Sequence, residues 1–201
     1  FEGVGYSKMK TFGLGNGFDT SAVTNMSYMF NETGYTAMTS ITFGSKFITT
    51  SVTNMNRMLR STGYTLMTSL DLSANFNTSN VTDMSGMFAN TGHEKMTTLK
   101  LGSNFNTNKV TNMSYMFANT GYKVMLSLDL GDKFYTTSAT NMSYMFNGTG
   151  ATSMTTLDLG TGFTKIASTN DNMFSNCGNA NLVVYAPELI YSGQKTFKLG
   201  K

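Results

Sequence analysis

Hydrophobic positions follow two spacings that take turns along the chain. Short runs MKTFGL, MTSITF, MTSLDL, MTTLKL, MLSLDL and MTTLDL begin at Met9, Met38, Met67, Met96, Met125 and Met154. Within them apolar and polar residues alternate, so that Leu70 and Leu72 take one side and Ser69 and Asp71 the other. A period of two marks a strand with one buried and one wet face. Between the runs lie segments such as VTNMSYMFANTG, in which Val110, Met113 and Phe117 stand at i, i+3 and i+7 with Met116 on the flank. That spacing predicts a short helix. Thr111 or Asn112 would cap its first turn, and Gly121 would take the left-handed conformation that ends it.

Both spacings recur every 29 residues, and methionine makes the interval visible. Met9, Met38, Met67, Met96, Met125 and Met154 form one phase; Met26, Met55, Met84, Met113 and Met142 form a second. Met29, Met58, Met87, Met116, Met145 and, one residue early, Met173 form a third, which accounts for all 17 methionines and leaves no room for insertions between copies. A large anchor, Phe18, Phe47, Phe76, Phe105, Phe134 or Phe163, joins the two parts of each unit. In the second copy the expected core is Met38, Ile41, Phe43, Phe47, Val52, Met55, Met58 and Leu59. One such unit cannot cover its own apolar faces, so the copies must stack and stability becomes a sum over neighbours.

The fold class expected from this is an α/β solenoid. Each coil would be strand, bend, short helix and turn. Parallel strands with right-handed crossovers would build a leucine-rich-repeat-like array, with one parallel β-sheet and short helices or helical turns on the opposite side. Residues 1–187 would hold about six coils and a closing strand, LVVYAP from Leu182. Residues 188–201, after the single proline Pro187, read as a C-terminal cap or a linker to a further module.

Composition narrows the function classes. A net charge of +3 with 12% charged residues and no Lys/Arg run gives no basic stripe, so no nucleic-acid partner is expected. One cysteine, Cys177, excludes an intramolecular disulfide. No apolar run reaches the ~20 residues of a membrane span, so membrane association is expected only through an anchor outside this sequence. The opening FEGVGYSKM lacks the basic start and apolar block of a signal peptide and begins partway through a repeat. The expectation is a mature product or excised fragment of a longer exported protein.

The stretches LDLSANFNTSNVTDMSGMF from Leu70, LDLGDKFYTTSATNMSYMF from Leu128 and NCGNANLVVYAP from Asn176 carry a family likeness. The chain resembles the BspA-like leucine-rich repeat proteins of bacterial surfaces, from about Lys8 to Pro187. It departs from them in its 29-residue unit and in carrying TGY where their turn usually holds a cysteine; only Cys177 keeps that residue. The resemblance implies a leucine-rich-repeat solenoid on the bacterial cell surface that adheres to a protein or glycan of a host or neighbouring cell. A passive stalk or spacer is the alternative.

Identical coils offer identical groups, so chemistry would need departures from the repeat. His93 occupies a phase otherwise held by Tyr6, Tyr35, Tyr64 and Tyr122, and no partner marks it as a general base. Cys177 reads as a buried thiol rather than a nucleophile. Asp129 and Asp158, on adjacent strands, would lie about 5 Å apart, yet a hard cation needs about six oxygens. Gly13 to Gly17 has no following basic residue of a nucleotide loop. No catalytic residue, metal site or cofactor is therefore expected. Candidate binding residues are the strand-face positions Ser69, Asp71, Thr98, Lys100, Ser127, Asp129, Thr156 and Asp158, and the departures Arg57, Arg60 and His93. Tyr28, Tyr115 and Tyr144 form a further aromatic series. Asn25, Asn54, Asn112 and Asn141 read as caps or an internal hydrogen-bond ladder.

Overall fold

In a computed structural model, described for residues 1–72, 76–186 and the backbone of 197–199, the chain forms a parallel β-solenoid of about six turns. Each coil contributes one very short strand: β1 Thr11–Gly13, β2 Ser40–Thr42, β3 Ser69–Asp71, β4 Thr98–Lys100, β5 Ser127–Asp129 and β6 Thr156–Asp158. Two further strands, β7 Val183–Ala186 and β8 Phe197–Leu199, follow in parallel at the C-terminal end. Apart from β8, the segment assigned to a cap or linker lies outside the described residues. The period-two reading holds: Leu70, Leu99, Leu128 and Leu157 point inward, and their immediate neighbours are more exposed.

The strand side is not one sheet. Ladders join β1 to β2, β3 to β4, and β5 through β8 in order. The pairs β2/β3 and β4/β5 stay adjacent without forming a ladder among the described residues. Strands of three residues offer too few lateral bonds to hold the stack. The continuous connection runs elsewhere, through parallel bridges Asn25↔Asn54↔Asp83↔Asn112↔Asn141↔Thr169 that link every coil to the next.

This flank also corrects the expected helices, since the described residues contain none. From Met113 onward, the N–H groups of Met113, Tyr115, Phe117 and Asn119 donate to the carbonyls of Asn141, Ser143, Met145 and Asn147 in the next coil. The intervening N–H groups, of Met116, Ala118 and Thr120, donate three residues back to Met113, Tyr115 and Phe117. A helix would spend every N–H on its own turn and leave none for a neighbour. Here half close turns and half bind the adjacent coil. Tyr115 (φ 58) and Asn119 (φ 55) make this alternation by adopting the left-handed region, which costs a non-glycine residue about 1–2 kcal/mol. The apolar positions were well placed for burial all the same. Val110, Met113, Met116 and Phe117 are fully buried.

Inside the coil Phe88, Phe117, Phe146 and Phe174 stack in register with ring centroids 5.3, 5.5 and 5.3 Å apart. Two columns of buried threonines accompany them. Thr62, Thr91, Thr120 and Thr149 each donate to a carbonyl 32 residues earlier at 2.7 Å. Thr49, Thr78 and Thr107 donate forward to Asn77, Asn106 and Tyr135 at 2.7–2.9 Å. Among the described residues no buried side-chain N or O lacks a partner.

Gly121 does end its segment left-handed, at φ +53, and a Cβ there would lie 2.7 Å from that of Met125. Gly131 is also left-handed, at φ +73, but a Cβ on it would meet nothing within 4 Å. Gly121→Ala is therefore expected to lower unfolding free energy by about 2–4 kcal/mol, combining backbone strain and overpacking. Gly131→Ala should cost only the strain, about 1–2 kcal/mol. Urea denaturation of the two variants checks the order; equal losses would remove the packing argument.

Candidate functional site

The strand-face candidates are placed side by side, and the charged ones are engaged with neighbouring groups. Lys100 Nζ lies 3.6 Å from Asp71 Oδ2, with both side chains more than half exposed, a geometry that contributes little to stability. Asp129 and Asp158 are register partners. Each closes its own turn instead of facing a shared ligand: Asp129 Oδ1 accepts from Gly131 N–H at 2.8 Å, and Asp158 Oδ1 from Gly160 N–H at 3.0 Å. Ser69 pairs in register with Thr98, and Ser127 with Thr156. The interrupted ladder between β4 and β5 leaves a shallow hollow of about 280 Å³ edged by Lys100 and Asp129. Among the described residues no three His, Cys, Asp or Glu side chains are grouped to hold a metal ion. Cys177 is fully buried.

The turn flank carries the more distinctive chemistry, because its repeat places partly exposed rings one above another. Tyr6, Tyr35, Tyr64, His93 and Tyr122 form one column with centroid spacings of 4.8, 4.6, 4.5 and 4.7 Å and interplanar angles of 4–8°. His93 thus replaces a tyrosine rung. Its Nδ1 lies 3.0 Å from Glu94 Oε1, and Glu94 is in turn paired with Lys123. Burial within the stack pushes the imidazole below its ordinary pKa, against the opposing pull of Glu94. The same burial raises the phenols of Tyr35 and Tyr64.

A second column runs through positions 28, 57, 86, 115 and 144, which are Tyr28, Arg57, Gly86, Tyr115 and Tyr144. Four of the side chains project from left-handed residues, with φ from 52 to 58, and Gly86 shares that conformation at φ 62. Tyr115 and Tyr144 stack at 4.7 Å. The Arg57 guanidinium carbon lies 5.5 Å from the centroid of Tyr28, a cation–π arrangement, and Arg57 also donates to the Tyr28 hydroxyl. At Gly86 the rung is missing. The gap is a slot of about 230 Å³ lined by Asn56, Arg57, Arg60, Ser85, Gly86, Ala89, Ser114 and Tyr115.

Arg57 and Arg60 are thereby brought to one rim, whereas His93 belongs to the other column and Lys100 to the strand side. Arg60 Nη1 sits 3.5 Å from Glu32 Oε1 and 3.4 Å from Asn31 Oδ1, both long contacts. Sequence reasoning passed over Gly86 and Ala89, although the signal for the glycine was present: SGMF at Ser85 stands where three other coils, at Ser27, Ser114 and Ser143, read SYMF. The asparagine series is structural. Asn25, Asn54, Asn112 and Asn141 each accept the N–H two residues on at 2.9–3.2 Å and occupy the inter-coil bridges.

Two overlapping matches, at residues 5–119 and 64–185, relate this array to the family described as Mycoplasma protein of unknown function, DUF285. They span most of the chain, which belongs to that family. Neither a curated protein nor a solved structure matches it. No helix among the described residues is long and apolar enough to cross a membrane.

The depressed pKa of His93 makes a pH prediction. The unfolded chain takes up this proton more readily than the folded one, so the contribution to stability is complete above the ordinary value of 6.5 and is lost as pH falls below it. His93→Tyr restores the rung and removes the titration. Urea midpoints of the wild type should fall relative to those of the variant between pH 7.5 and 5.5. Parallel curves would show that His93 is not coupled to folding.

Proposed function

We propose that this member of the family is a binding module of a bacterial cell surface that recognises a protein or glycan on a host or neighbouring cell through the turn flank of its repeats. The observation that carries the reading is the break in the second ring column. A packed array has no need to interrupt its stack at Gly86 and to surround the gap with Arg57, Arg60 and Tyr115. Arginine and tyrosine are the side chains that concentrate binding energy in recognition surfaces. The small hydroxyl residues of the strand face are not. The likeness to BspA-like leucine-rich repeat proteins supports the same class of role and display at the surface.

The second reading is a passive spacer. What favours it is the regularity of the inter-coil bonding, which continues through all the bridged coils and would serve reach alone. The two readings differ in saturable binding. The isolated chain is expected to bind immobilised matrix proteins or glycans saturably in surface plasmon resonance. An Arg57→Ala, Arg60→Ala, Tyr115→Ala triple variant should weaken that binding about tenfold or more, while Lys100→Ala leaves it unchanged. Absence of saturable binding across matrix proteins and a glycan array would leave the spacer.

A further inference from the structure

The slot at Gly86 has a definite shape and charge, and these point to an occupant. It is one rung high. Stacked rings on this flank repeat at 4.7 Å, as Tyr115 and Tyr144 show, and omission of one side chain at Gly86 opens the face of Tyr115 turned toward Arg57, whose stem leans into the gap with Cγ 3.1 Å from the Cβ position of Gly86. A single six-membered ring can lie on the open face of Tyr115 once the flexible Arg57 stem swings aside. The floor is close and uncharged, made by Gly86 and Ala89, both buried. Tyr115 is 48% exposed, so much of its surface is open to a ligand.

Polar groups at the rim select among flat ligands. Ser114 Oγ donates its proton to Asn112 Oδ1 at 2.8 Å, which leaves the hydroxyl oxygen to accept from a ligand O–H. Beside it the Asn56 amide donates to the Ser85 carbonyl oxygen and Ser85 Oγ, and Ser85 Oγ donates to Asp83 Oδ1, which leaves the Asn56 carbonyl oxygen as a second acceptor on the rim. Neutral acceptors around a ring-sized gap suit a ring whose hydroxyls donate. Charge selects further. Arg57 and Arg60 bring two guanidinium groups against the single carboxylate of Glu32. The Arg60–Glu32 contact is long and has both side chains more than a third exposed, a weak pair that a ligand carboxylate can displace. A guanidinium offers such a carboxylate a bidentate fork.

We infer that the slot binds a hexuronate residue of an acidic glycan. Its ring would lie on Tyr115 in place of the missing rung, with its carboxylate on Arg60 or Arg57 and its hydroxyls on Ser114 and Asn56. The inference rests on the binding-module reading and supplies its ligand class. It also explains the glycine. Position 86 is left-handed like positions 28, 57, 115 and 144, and tyrosine is accommodated at three of those. A tyrosine at 86 would therefore fit the fold and fill the site, displacing only the flexible Arg57 stem, whose Cγ lies 3.1 Å from the Cβ position.

The test is isothermal titration of the whole chain with a galacturonate trimer, a neutral galactose trimer and benzoate. The acidic trimer should bind saturably and weaken with added salt, and the neutral trimer should show no saturable heat. Gly86→Tyr should reduce binding about tenfold or more while keeping a cooperative thermal transition, lowered by no more than the strain of one left-handed residue; Arg60→Gln should reduce binding by a similar factor. No binding of the acidic trimer, equal binding of the neutral one, tighter binding of benzoate, or full binding by Gly86→Tyr would each overturn the assignment. The two readings fail separately. Saturable binding to cells or matrix that survives Gly86→Tyr refutes the slot and keeps the module, whereas trimer binding at the slot without any surface binding keeps the slot and refutes the module.

Discussion

Alternate backbone N–H groups on the turn flank serve two masters, one closing a turn and the next reaching the adjacent coil. Neither standard element does both: a helix turns all its amides inward along its own axis, and a strand turns them all sideways. Half and half gives a ribbon that bends within the coil and bonds between coils at once. The left-handed positions at 28, 57, 86, 115 and 144, and again at 32, 61, 90, 119 and 148, are the geometric means. Every feature of the surface then inherits the vertical register of those bonds. Rings stack because the backbone beneath them does.

The interior obeys the same register by other means. Phenylalanines form a column in which each ring lies on the next, and methionine, with its flexible thioether, fills the space between. Buried hydroxyls would be costly alone, yet the threonine columns convert that cost into links between coils by donating to carbonyls of the neighbouring turn. Where the last coil is one residue short, the bridge Asn141↔Thr169 and the pair Phe146–Phe174 are kept. The shortening falls between Phe163 and Thr169, outside the bonded spine.

Much of the array was legible in the sequence. Methionine at a fixed interval gave the coil length, and period two located the strands at Ser69–Asp71 and its equivalents. The helix reading failed because burial and hydrogen bonding are separate questions. Val110, Met113 and Phe117 carry a spacing that both a helix and a chain of turns can bury, and spacing says nothing about where the N–H of Tyr115 goes. Tyrosine at a left-handed φ is not something a propensity scale anticipates. Arg57 and Arg60 could be marked as departures from the repeat, but their meeting at Gly86 could not. It needed the knowledge that position 86 projects into the same column as positions 57 and 115, which follows only from the backbone conformation.

The Gly86 gap also distinguishes two kinds of inheritance. A repeat of 29 codons can be duplicated or lost as a block by unequal recombination, and the bonded spine would rejoin without a seam because every coil presents the same amides to its neighbour. The slot has no such tolerance. It depends on the order Arg57, Gly86, Tyr115 across three successive coils, so a block inserted between any two of them would leave the spine intact and take the slot apart. A block gained or lost outside the second, third and fourth coils would leave the slot as it is.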